Sequence, residues 1–442
     1  MNTTFPTKKI LFATIDGDGH VNPLTGLAKY LQAAGYDVRW YTGSGYADKI
    51  AQLDIPFYPM RIAPSIPASE IDDHLPGRRE IKNKIKKLNY DIEHFFVRRA
   101  PLFYRDILKI RETFEFDLMV ADVAFTATPI VKEVLGIPVI SIGVFPLCET
   151  SKDLPPCGLG MYPSYSFGGK IKQAILRTIT QKVLFKPANK VTSEVFGAQG
   201  ISTSGKFVFD LMCEKCTYLL QSGTPSFEYK RSDLSNHIHY IGSLLPYSAR
   251  QKTKGWYHEK LTRYNKVIVL TQGTVERNVE KLLVPALEGL QGTDVLVICT
   301  TGGSDTARLR KQYKADNIII EDFIPFHEVM PYAQAYVTNG GYGGVMLGIE
   351  HKLPMVVAGV HEGKNEICAR IGYFEYGIDL KTETPAPNRI REAVNKVIND
   401  NRYKENIERL GEEFATYDPN ALCLDYVEKL IGPAVQALAE RA

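Results

Sequence analysis

The sequence lacks an excess of charge of either sign. It contains 53 Lys and Arg residues and 50 Asp and Glu residues, which gives a formal net charge of +3 over 442 residues. Nucleic-acid-binding domains are usually strongly basic, so we expect no nucleic-acid partner. A local basic run is formed by Lys82, Lys84, Lys86 and Lys87. We interpret this run as one solvated face of a helix.

Long apolar runs are also missing. The first nine residues contain no apolar signal core, and the first apolar run, residues 10–15, has the length of a strand. A membrane span would need roughly 18 or more consecutive apolar residues, and a secretory signal would need an apolar core near the N-terminus. We therefore expect a cytoplasmic protein without stable membrane insertion.

Cysteine is sparse, and known metal-binding motifs are absent. Seven cysteines are scattered along the chain, and Cys213 and Cys216 form one Cys-x-x-Cys pair without the second ligand pair that a zinc site needs. One interpretation is a thioredoxin-like redox pair. Cysteines of proteins in a reducing compartment are more commonly buried free thiols, and this is the interpretation we favour. No His-Glu-x-x-His and no Gly-x-Ser-x-Gly occurs, so we expect neither a metal site nor a serine hydrolase.

What is present is a regular alternation of strand-like and helix-like segments. The 442 residues exceed the roughly 250–300 at which one hydrophobic core stops growing, so two domains are expected. Apolar runs predict strands at residues 10–15, 38–41, 117–121 and 139–142 in the first half. The second half repeats the pattern at residues 267–270, 295–299, 318–320, 335–338 and 355–358. Strands that alternate with helices predict parallel sheets covered on both faces.

The domain boundaries follow from a change in pattern. Residues 244–263 are polar and turn-rich, with little periodicity, and we interpret them as a linker. The predicted fold class is therefore α/β, with two similar doubly wound domains at residues 1–243 and 264–419 that face each other across a cleft. Residues 420–442 have a helical pattern and predict a C-terminal helix.

A histidine follows the first predicted strand. Glycines at positions 17 and 19 allow a tight backbone path and leave the His20 imidazole accessible. Asn22 and Pro23 are typical of a helix N-cap and first turn, so we expect a helix to begin there. Imidazole titrates near neutral pH and is suited to take a proton from an attacking hydroxyl.

Asp122 directly follows the apolar run of residues 118–121 and should emerge at the same sheet edge as His20. A carboxylate there would hydrogen-bond the far ring nitrogen of the histidine and stabilise the imidazolium. The alternative is that His20 is an ordinary loop residue and Asp122 an ordinary helix N-cap. Spacing alone does not decide between the two.

Four glycines within six residues are the strongest signal in the second half. The predicted strand at residues 335–338 is followed by Asn339-Gly340-Gly341-Tyr342-Gly343-Gly344 and then by an apolar helical pattern. Glycine lets a backbone approach a phosphate closely, and a helix N-terminus offers free amides and the positive end of the helix dipole. The segment matches neither a P-loop nor a Gly-x-Gly-x-x-Gly fingerprint. We predict that it binds a diphosphate.

Two further segments of the second half follow predicted strands, where ligands bind in open parallel sheets. In Gln272-Gly273-Thr274, the Thr274 hydroxyl would donate to a phosphate oxygen or would simply cap the next helix. Phe323 could stack on a nucleobase, although core packing is the usual fate of a lone phenylalanine.

Together these segments resemble the family 1 glycosyltransferases over almost the whole chain. The resemblance is carried by Gly19-His20-Val21-Asn22-Pro23 and by the stretch from Phe323-Ile324-Pro325 to Asn365. It implies the GT-B fold, with a base histidine at His20 paired to Asp122 and an inverting, metal-independent transfer of a sugar. It also implies that the C-terminal helix crosses back onto the first domain.

The resemblance further implies a donor site and an acceptor site. The acceptor site would include Asp18, Phe145 and Pro146. Residues 62–71 and 145–167 have a composition that suits a flat aromatic ligand or a lipid, although variable loop packing explains it equally well. No cofactor is expected beyond a dTDP- or UDP-sugar as co-substrate. The implied donor-binding residues are Gln272, Gly273, Thr274, Phe323, Ile324, Asn339, Gly340, Gly341, Gly343, Gly344, Glu362 and Lys364.

A closer resemblance is to bacterial flavonoid O-rhamnosyltransferases. It implies transfer of L-rhamnose from dTDP-L-rhamnose to a flavonol hydroxyl. The segments that carry it are Asp37-Val38-Arg39-Trp40-Tyr41-Thr42, Ser151-Lys152-Asp153-Leu154-Pro155-Pro156, Gln221-Ser222-Gly223-Thr224-Pro225 and residues 338–348.

Three departures from the broader family bear on the donor. Asn339 stands where that family usually has a histidine at the α-phosphate, and Leu347 stands where it has a ribose-binding glutamate. Leucine cannot accept a hydrogen bond from a 2′-hydroxyl, so Leu347 favours a deoxyribose and hence dTDP. Gly363-Lys364 replaces the sugar-holding Asp-Gln pair, which is compatible with a 6-deoxy sugar. Alternatively, Glu362 and Lys364 form a salt bridge on a helix face.

Other functions stay open at this point. A UDP-glucose-dependent glucosyltransferase of the same fold is the first alternative, and Asn339 and Leu347 argue against it. A sugar-nucleotide epimerase would leave His20 without a role. A non-catalytic nucleotide-sugar-binding protein would have no use for the pair of His20 and Asp122.

Overall fold

Two parallel β-sheets organise the chain. The computed structural model describes residues 7–67, 70–247, 255–273, 275–361 and 363–434. The first sheet contains β1 (Lys9–Ala13), β2 (Asp37–Thr42), β3 (Phe57–Pro59), β4 (Leu118–Asp122), β5 (Val139–Gly143), β6 (Tyr218–Ser222) and β7 (Ile238–Gly242). The second contains β8 (Lys266–Thr271), β9 (Val295–Thr300), β10 (Ile318–Glu321), β11 (Ala335–Thr338), β12 (Met355–Val357) and β13 (Gly377–Asp379).

Helices accompany both sheets. Those that precede β8 are α1 (Asp18–Val21), α2 (Thr25–Ala33), α3 (Ala47–Ala51), α4 (Ile71–His74), α5 (Gly77–Glu80), α6 (Lys84–Asp91), α7 (Ala100–Arg111), α8 (Thr128–Leu135), α9 (Phe167–Ile179), α10 (Lys186–Gly197) and α11 (Val208–Glu214). Those that follow β8 are α12 (Leu283–Leu290), α13 (Thr306–Gln312), α14 (Phe326–Val329), α15 (Tyr342–Glu350), α16 (Lys364–Tyr373), α17 (Pro387–Asn399), α18 (Asn401–Phe414) and α19 (Pro419–Ile431).

The strand order is the doubly wound one in both sheets. The first sheet runs β3-β2-β1-β4-β5-β6-β7 and the second runs β10-β9-β8-β11-β12-β13, with every pairing parallel. Central strands such as β4 and β9 are buried along their whole length, as parallel strands with helices on both faces must be. The prediction of two Rossmann-like α/β domains is confirmed. In each sheet the order reverses beside the first strand, where such folds bind ligands.

Four strands were not predicted from the sequence: β3, β6, β7 and β13. β3 and β13 are three-residue edge strands, and β7 mixes buried and half-buried residues. Such short or mixed segments carry a weaker apolar signal than the central strands. Asp122 lies within β4 as its last residue rather than after it.

The first helical segment begins earlier than the sequence indicated. α1 starts at Asp18 with Gly17 as its N-cap, and Asn22–Leu24 forms a 3₁₀ turn before α2. The prediction that Asn22 is the N-cap is therefore wrong. The backbone amides of His20 and Val21 both donate to the Gly17 carbonyl, at 2.9 Å each, so the helical path already includes His20.

A turn of the first domain inserts into the second. The 3₁₀ turn Pro225–Phe227 follows β6, and Phe227 is fully buried in a core cluster otherwise built from the second domain. The Tyr342 hydroxyl of α15 donates to the Ser222 carbonyl at 2.5 Å, and the Tyr376 hydroxyl donates to the Ser226 carbonyl at 2.7 Å. The carboxyl edge of the first sheet is thereby fixed to the N-terminus of α15.

A buried ion triad joins the same two domains. The Arg370 guanidinium of α16 donates to Glu228 at 2.7 Å and to Glu366 at 3.1 Å, and all three residues are at most 7% exposed. Burial opposes the charge on Arg370, but the two carboxylates outweigh this effect and hold its pKa well above the usual value. Glu366 also accepts hydrogen bonds from the amides of Gly158 and Gly160, each at 2.8 Å.

The C-terminal helix α19 packs on the first domain. Its residues Cys423 and Val427 are buried in the core cluster that surrounds β1, β2 and α2. The Tyr36 hydroxyl donates to the Gly432 carbonyl at 2.9 Å just beyond that helix. Between β7 and β8 the described part of the segment contains a 3₁₀ turn at Glu259–Thr262. Among the described residues, no helix is long and apolar enough to cross a membrane.

Loss of the buried guanidinium should be costly. Arg370→Ala leaves two buried carboxylates without their cation, so the free energy of unfolding should fall by about 3–5 kcal/mol. Denaturant unfolding followed by circular dichroism measures this loss. Arg402→Ala removes an exposed ion pair with Asp400 and is the control, whose midpoint should stay close to that of the parent. Equal midpoints for the two variants would show that the triad does not stabilise the fold.

Candidate functional site

His20 and Asp122 meet at the carboxyl ends of the neighbouring strands β1 and β4. Nδ1 of the imidazole lies 2.8 Å from Oδ1 of the carboxylate, and Asp122 is fully buried. The carboxylate also accepts hydrogen bonds from the amides of Ile15 at 3.0 Å and Ala124 at 2.9 Å. This arrangement places Nδ1–H as the donor and leaves Nε2 as the basic nitrogen.

The imidazole is partly open to solvent. The His20 side chain is 23% exposed, and Nε2 makes no hydrogen bond to any residue that the structure describes. A Cβ at position 17 would lie 3.0 Å from Cδ2 of the imidazole, so Gly17 leaves the space that the ring occupies. The pair therefore presents a positioned base at the reversal point of the first sheet.

Two buried carboxylates hold the loop that follows β3 near this edge. Asp106 of α7 accepts hydrogen bonds from the amides of Arg61 at 3.1 Å, Ile62 at 2.9 Å and Ala63 at 3.1 Å, and from the Tyr41 hydroxyl at 2.8 Å. These bonds fix the start of the loop, which the sequence assigned to the acceptor side.

Asp16 fixes the rest of the same loop. Its carboxylate accepts from the Ser65 hydroxyl and the Ile66 amide, both at 2.7 Å, and lies 3.4 Å from the buried Arg99 guanidinium. Burial lowers the pKa of Arg99 below its usual value, against the opposing effect of Asp16. Arg99 also donates to the Pro64 carbonyl at 2.6 Å. The loop is thus pinned to the strand that leads to His20.

The three predicted acceptor residues differ in accessibility. Asp18 is half-exposed, and its carboxylate lies 3.4 Å from both the Lys49 ammonium and the Tyr46 hydroxyl. Asp16 and Asp18 have Asp-x-Asp spacing, but their carboxylates bind different partners. Pro146 is buried, and Phe145 packs half-buried against two core clusters. All three lie at the carboxyl edge of the first sheet, and their contacts with an acceptor stay a prediction.

The glycine-rich segment forms the turn between β11 and α15. Gly341 is the N-cap, and the first bond within α15 runs from the Val345 amide to the Gly341 carbonyl at 2.9 Å. The amides of Tyr342, Gly343 and Gly344 therefore have no acceptor within the helix. Gly340 has φ +76°, and a Cβ there would lie 2.4 Å from the Cys368 sulfur, so only glycine fits.

Asn339 shapes this turn in the structure. Its amide nitrogen donates to the Gln272 carbonyl, and its Oδ1 accepts from the Gly341 amide at 3.3 Å. Gly273 has φ +76° and follows β8 beside this turn. The segment after β8 and the segment after β11 thus meet at the reversal point of the second sheet, as the sequence predicted from strand ends.

A small pocket lies between these segments and α16. Gln272, Asn339, Gly359 and Lys364 are among its lining residues. Gln272 is fully buried, its Nε2 donates to the Glu276 carbonyl at 3.0 Å, and its Oε1 has no partner among the described residues. A buried acceptor without a partner is uncommon in proteins and is consistent with a ligand that donates to it.

Charged residues that the sequence analysis did not single out also line this pocket. Lys281 donates to Glu276 at 2.5 Å and lies 3.4 Å from Glu383. Burial opposes the charge of Glu276, but the hydrogen bond from Lys281 outweighs it and lowers the pKa of that carboxyl. The His361 amide donates to Glu383 at 3.1 Å. No local motif marks this cluster, since Glu383 lies 102 positions after Lys281 in the sequence.

The remaining predicted donor residues lie in different environments. Phe323 is 68% exposed at the end of β10, and its ring lies beside Gly303, as a stacking platform for a base would require. The Ile324 side chain is buried in the core, which leaves only its backbone for a ligand. Leu347 is half-buried in the second turn of α15. Thr274 and Glu362 lie outside the described residues.

The two ends of the candidate site share one edge. Tyr342, the first residue of α15, contacts Ser222 at the end of β6, and β6 is two strands from β4. Parallel strands are about 4.8 Å apart, so β4 and β6 are separated by roughly 10 Å. The helix N-terminus of the second domain therefore reaches the sheet edge that carries His20 and Asp122.

The Cys-x-x-Cys pair lies in a small hydrophobic cluster of the first domain. Cys213 and Cys216 are both buried, and burial raises the pKa of the Cys216 thiol to about 11. A thiol of this kind is mostly protonated near neutral pH, unlike the thiolate of a redox pair.

Within the described ranges, no three His, Cys, Asp or Glu side chains form a group that could hold a metal ion.

Comparisons with known proteins agree with this architecture. Residues 287–428 match the family model described as "Erythromycin biosynthesis protein CIII-like, C-terminal domain". The 4'-demethylrebeccamycin synthase of Lentzea aerocolonigenes is 32% identical over 423 residues, or 96% of this chain and 99% of that protein. UDP-glycosyltransferase 2 of Phaeomoniella chlamydospora is 26% identical over 435 residues, or 95% of each chain. The solved structure of the glycosyltransferase VinC in complex with dTDP has a TM-score of 0.65 at 16% identity, covering 98% of this chain and 100% of that one.

The likeness to solved structures supports the GT-B fold. The likeness in sequence supports sugar transfer as the activity. A relative that is 32% identical over nearly the full length of both chains establishes a common family. These findings favour a glycosyltransferase over a sugar-nucleotide epimerase or a non-catalytic binding protein. The chain belongs to the family 1 glycosyltransferases and is an enzyme that transfers a sugar from a nucleotide to small molecules.

Proposed function

We propose that this enzyme transfers L-rhamnose from dTDP-L-rhamnose to a hydroxyl of a flavonol or similar flat aromatic acceptor, with His20 as the general base. The observation that carries the role of His20 is the contact of 2.8 Å between His20 Nδ1 and the buried Asp122. Because Asp122 fixes the tautomer, Nε2 is the nitrogen that would take the acceptor proton. A positioned base of this kind typically contributes about 10²- to 10⁴-fold to the rate.

The proposed reaction is a single displacement. The acceptor oxygen attacks the anomeric carbon while its proton moves to Nε2, and the bond from that carbon to the diphosphate oxygen breaks with inversion. The amides of Tyr342, Gly343 and Gly344 and the dipole of α15 would stabilise the charge that develops on the diphosphate. No metal is required in this scheme, because the charge is met by backbone donors.

Leu347 supports dTDP as the donor nucleotide. An apolar side chain at position 347 offers no acceptor to a ribose 2′-hydroxyl, and the VinC structure was solved with dTDP. A second candidate is a UDP-glucose-dependent glucosyltransferase, which is favoured by the name of the UDP-glycosyltransferase relative. The two candidates differ in the sugar and in the 2′-hydroxyl of the nucleotide.

Removal of the proposed base should separate chemistry from donor binding. His20→Ala should reduce kcat by about 10²- to 10⁴-fold, while dTDP binding measured by calorimetry stays unchanged. His327→Ala removes an exposed imidazole on α14 and is the matched control. Asp122→Asn should also lower kcat, because the tautomer is no longer fixed. Turnover of His20→Ala close to the parent rate would exclude His20 as the base.

The nucleotide preference can be traced to one hydroxyl. An unpaired buried 2′-hydroxyl costs about 1–3 kcal/mol, so dTDP and dUDP should bind roughly 5- to 150-fold more tightly than UDP. Leu347→Glu should narrow this gap by supplying an acceptor, whereas Leu347→Met should preserve it. Calorimetric titrations with the three nucleotides measure the preference. If UDP binds as tightly as dTDP, the argument from Leu347 is wrong.

A donor panel against one flavonol tests the complete proposal. Purified enzyme with quercetin should form a rhamnoside from dTDP-L-rhamnose, with a kcat/KM at least about tenfold above that for UDP-glucose. Mass spectrometry identifies the product by the mass of the added sugar, and boiled enzyme is the control. A glucoside formed faster than the rhamnoside would favour the second candidate instead.

A further inference from the structure

Helix α9 and the turn after it carry an exposed apolar stripe. Phe167, Ile171, Ile175, Ile179 and Val183 recur every four residues and are between 42% and 84% exposed. Residues at this spacing share one helix face. In surface helices of globular proteins the apolar face normally points to the core. Here the single buried residue of α9 is a glutamine, Gln173.

Polar contacts hold the helix in this inverted orientation. Gln173 accepts a hydrogen bond from the Ser164 amide at 2.6 Å and donates to the Asp153 carbonyl at 3.0 Å. One turn later Arg177 donates to the Leu154 carbonyl. The polar face of α9 is therefore bound to the preceding loop, and the apolar stripe is directed outward.

The surroundings of the stripe are strongly basic. Residues 154–193 contain no acidic residue and include the basic residues Lys170, Lys172, Arg177, Lys182, Lys186 and Lys190. All of these except Arg177 are exposed. Lys170 lies 3.9 Å from Asp153 and Lys190 lies 3.8 Å from Glu194, whereas Lys172, Lys182 and Lys186 have no ion pair among the described residues. The chain as a whole has a net charge of only +3, so these three lysines are a local excess of positive charge. Helix α6, which carries most of the basic run at residues 82–87, lies next to the end of the stripe. The Asn89 side-chain amide of α6 donates to the Leu184 carbonyl at 2.8 Å, directly after Val183.

We propose that this stripe is a docking surface for an anionic lipid bilayer. Exposed apolar side chains flanked by lysines are the combination by which amphipathic helices lie in a membrane interface, with the apolar groups among the acyl chains and the ammonium groups at the phosphates. From Phe167 to Val183 the stripe spans about 24 Å at about 1.5 Å per residue, which is longer than a small acceptor molecule.

Charge selects the bilayer over a second copy of this chain. A symmetric contact through α9 would bring two basic segments together, and like charges in contact repel. Anionic lipids instead neutralise the lysines. The segment between β5 and α9 begins at the sheet edge of His20 and Asp122, so docking would bring the acceptor side close to apolar molecules dissolved in the bilayer. This inference goes beyond the proposed sugar and acceptor and does not depend on either.

Sedimentation with vesicles tests the proposal on the full chain. The protein should co-sediment with phosphatidylcholine vesicles that contain about one third phosphatidylglycerol, and the bound fraction should fall at least about tenfold in pure phosphatidylcholine or at high salt. The double variant Ile171→Ser/Ile175→Ser should lose binding by a similar factor, as should Lys172→Glu/Lys182→Glu. Both variants should retain transferase activity, since neither pair touches the candidate site.

Two exposed apolar residues on other helices of the first domain provide a matched control. Leu108→Ser/Val134→Ser removes two exposed apolar side chains from α7 and α8 and should leave vesicle binding unchanged. No sedimentation with anionic vesicles at low salt would overturn the proposal. So would a dimer, detected by light scattering, that the Ile171→Ser/Ile175→Ser variant abolishes, because the stripe would then be covered by a second copy.

Discussion

A buried guanidinium between two carboxylates sets the relation of the two domains. Arg370 lies on the second domain, Glu228 follows β6 of the first, and Glu366 binds the loop that follows β5. A buried charge is tolerated only when it is paired and its remaining hydrogen-bonding capacity is met. The triad fulfils this because the Leu147 amide also donates to Glu228 at 2.9 Å. Any relative shift of the domains at this point would separate buried opposite charges.

The triad also connects the two chemical halves of the site through one helix. α16 begins at Lys364, which lines the pocket beside Asn339, and continues to Glu366 and Arg370, which bind the first domain. The segment after β5 therefore rests on the same helix that borders the donor pocket. One helix therefore positions groups of both the donor pocket and the acceptor side.

The sequence predicted the parts of this arrangement that have local signals. The runs that became β1, β4, β8, β9 and β11 are apolar and bounded by turn residues, so both sheets could be anticipated. His20 and Asp122 lie 102 positions apart, yet both follow from the rule that parallel strands end at one edge. The edge strands β3 and β13 were missed because three residues carry almost no periodicity.

No local sequence pattern predicted the ion triad. Glu228 and Arg370 are separated by 142 positions, and neither lies in a motif that distinguishes it from other charged residues. Likewise, the start of α1 at Asp18 depends on the Gly17 carbonyl, which accepts from both His20 and Val21. Contacts made only after the chain has folded decide these features. Composition and spacing therefore anticipate the sheet edges but not the side chains that join the domains.

Helix α9 shows the same limit in energetic terms. Its four-residue period marks a shared apolar face, but a period does not state which way that face points. Burying an isoleucine stabilises a fold by about 1.5–3 kcal/mol, whereas an unpaired buried backbone group costs about 1–3 kcal/mol. With the apolar face inward, the Ser164 amide and the Asp153 carbonyl would lose Gln173 as their partner. Five apolar residues share the stripe, so their burial would outweigh these two hydrogen bonds, and the outward orientation leaves an apolar surface that an external partner would stabilise by covering it.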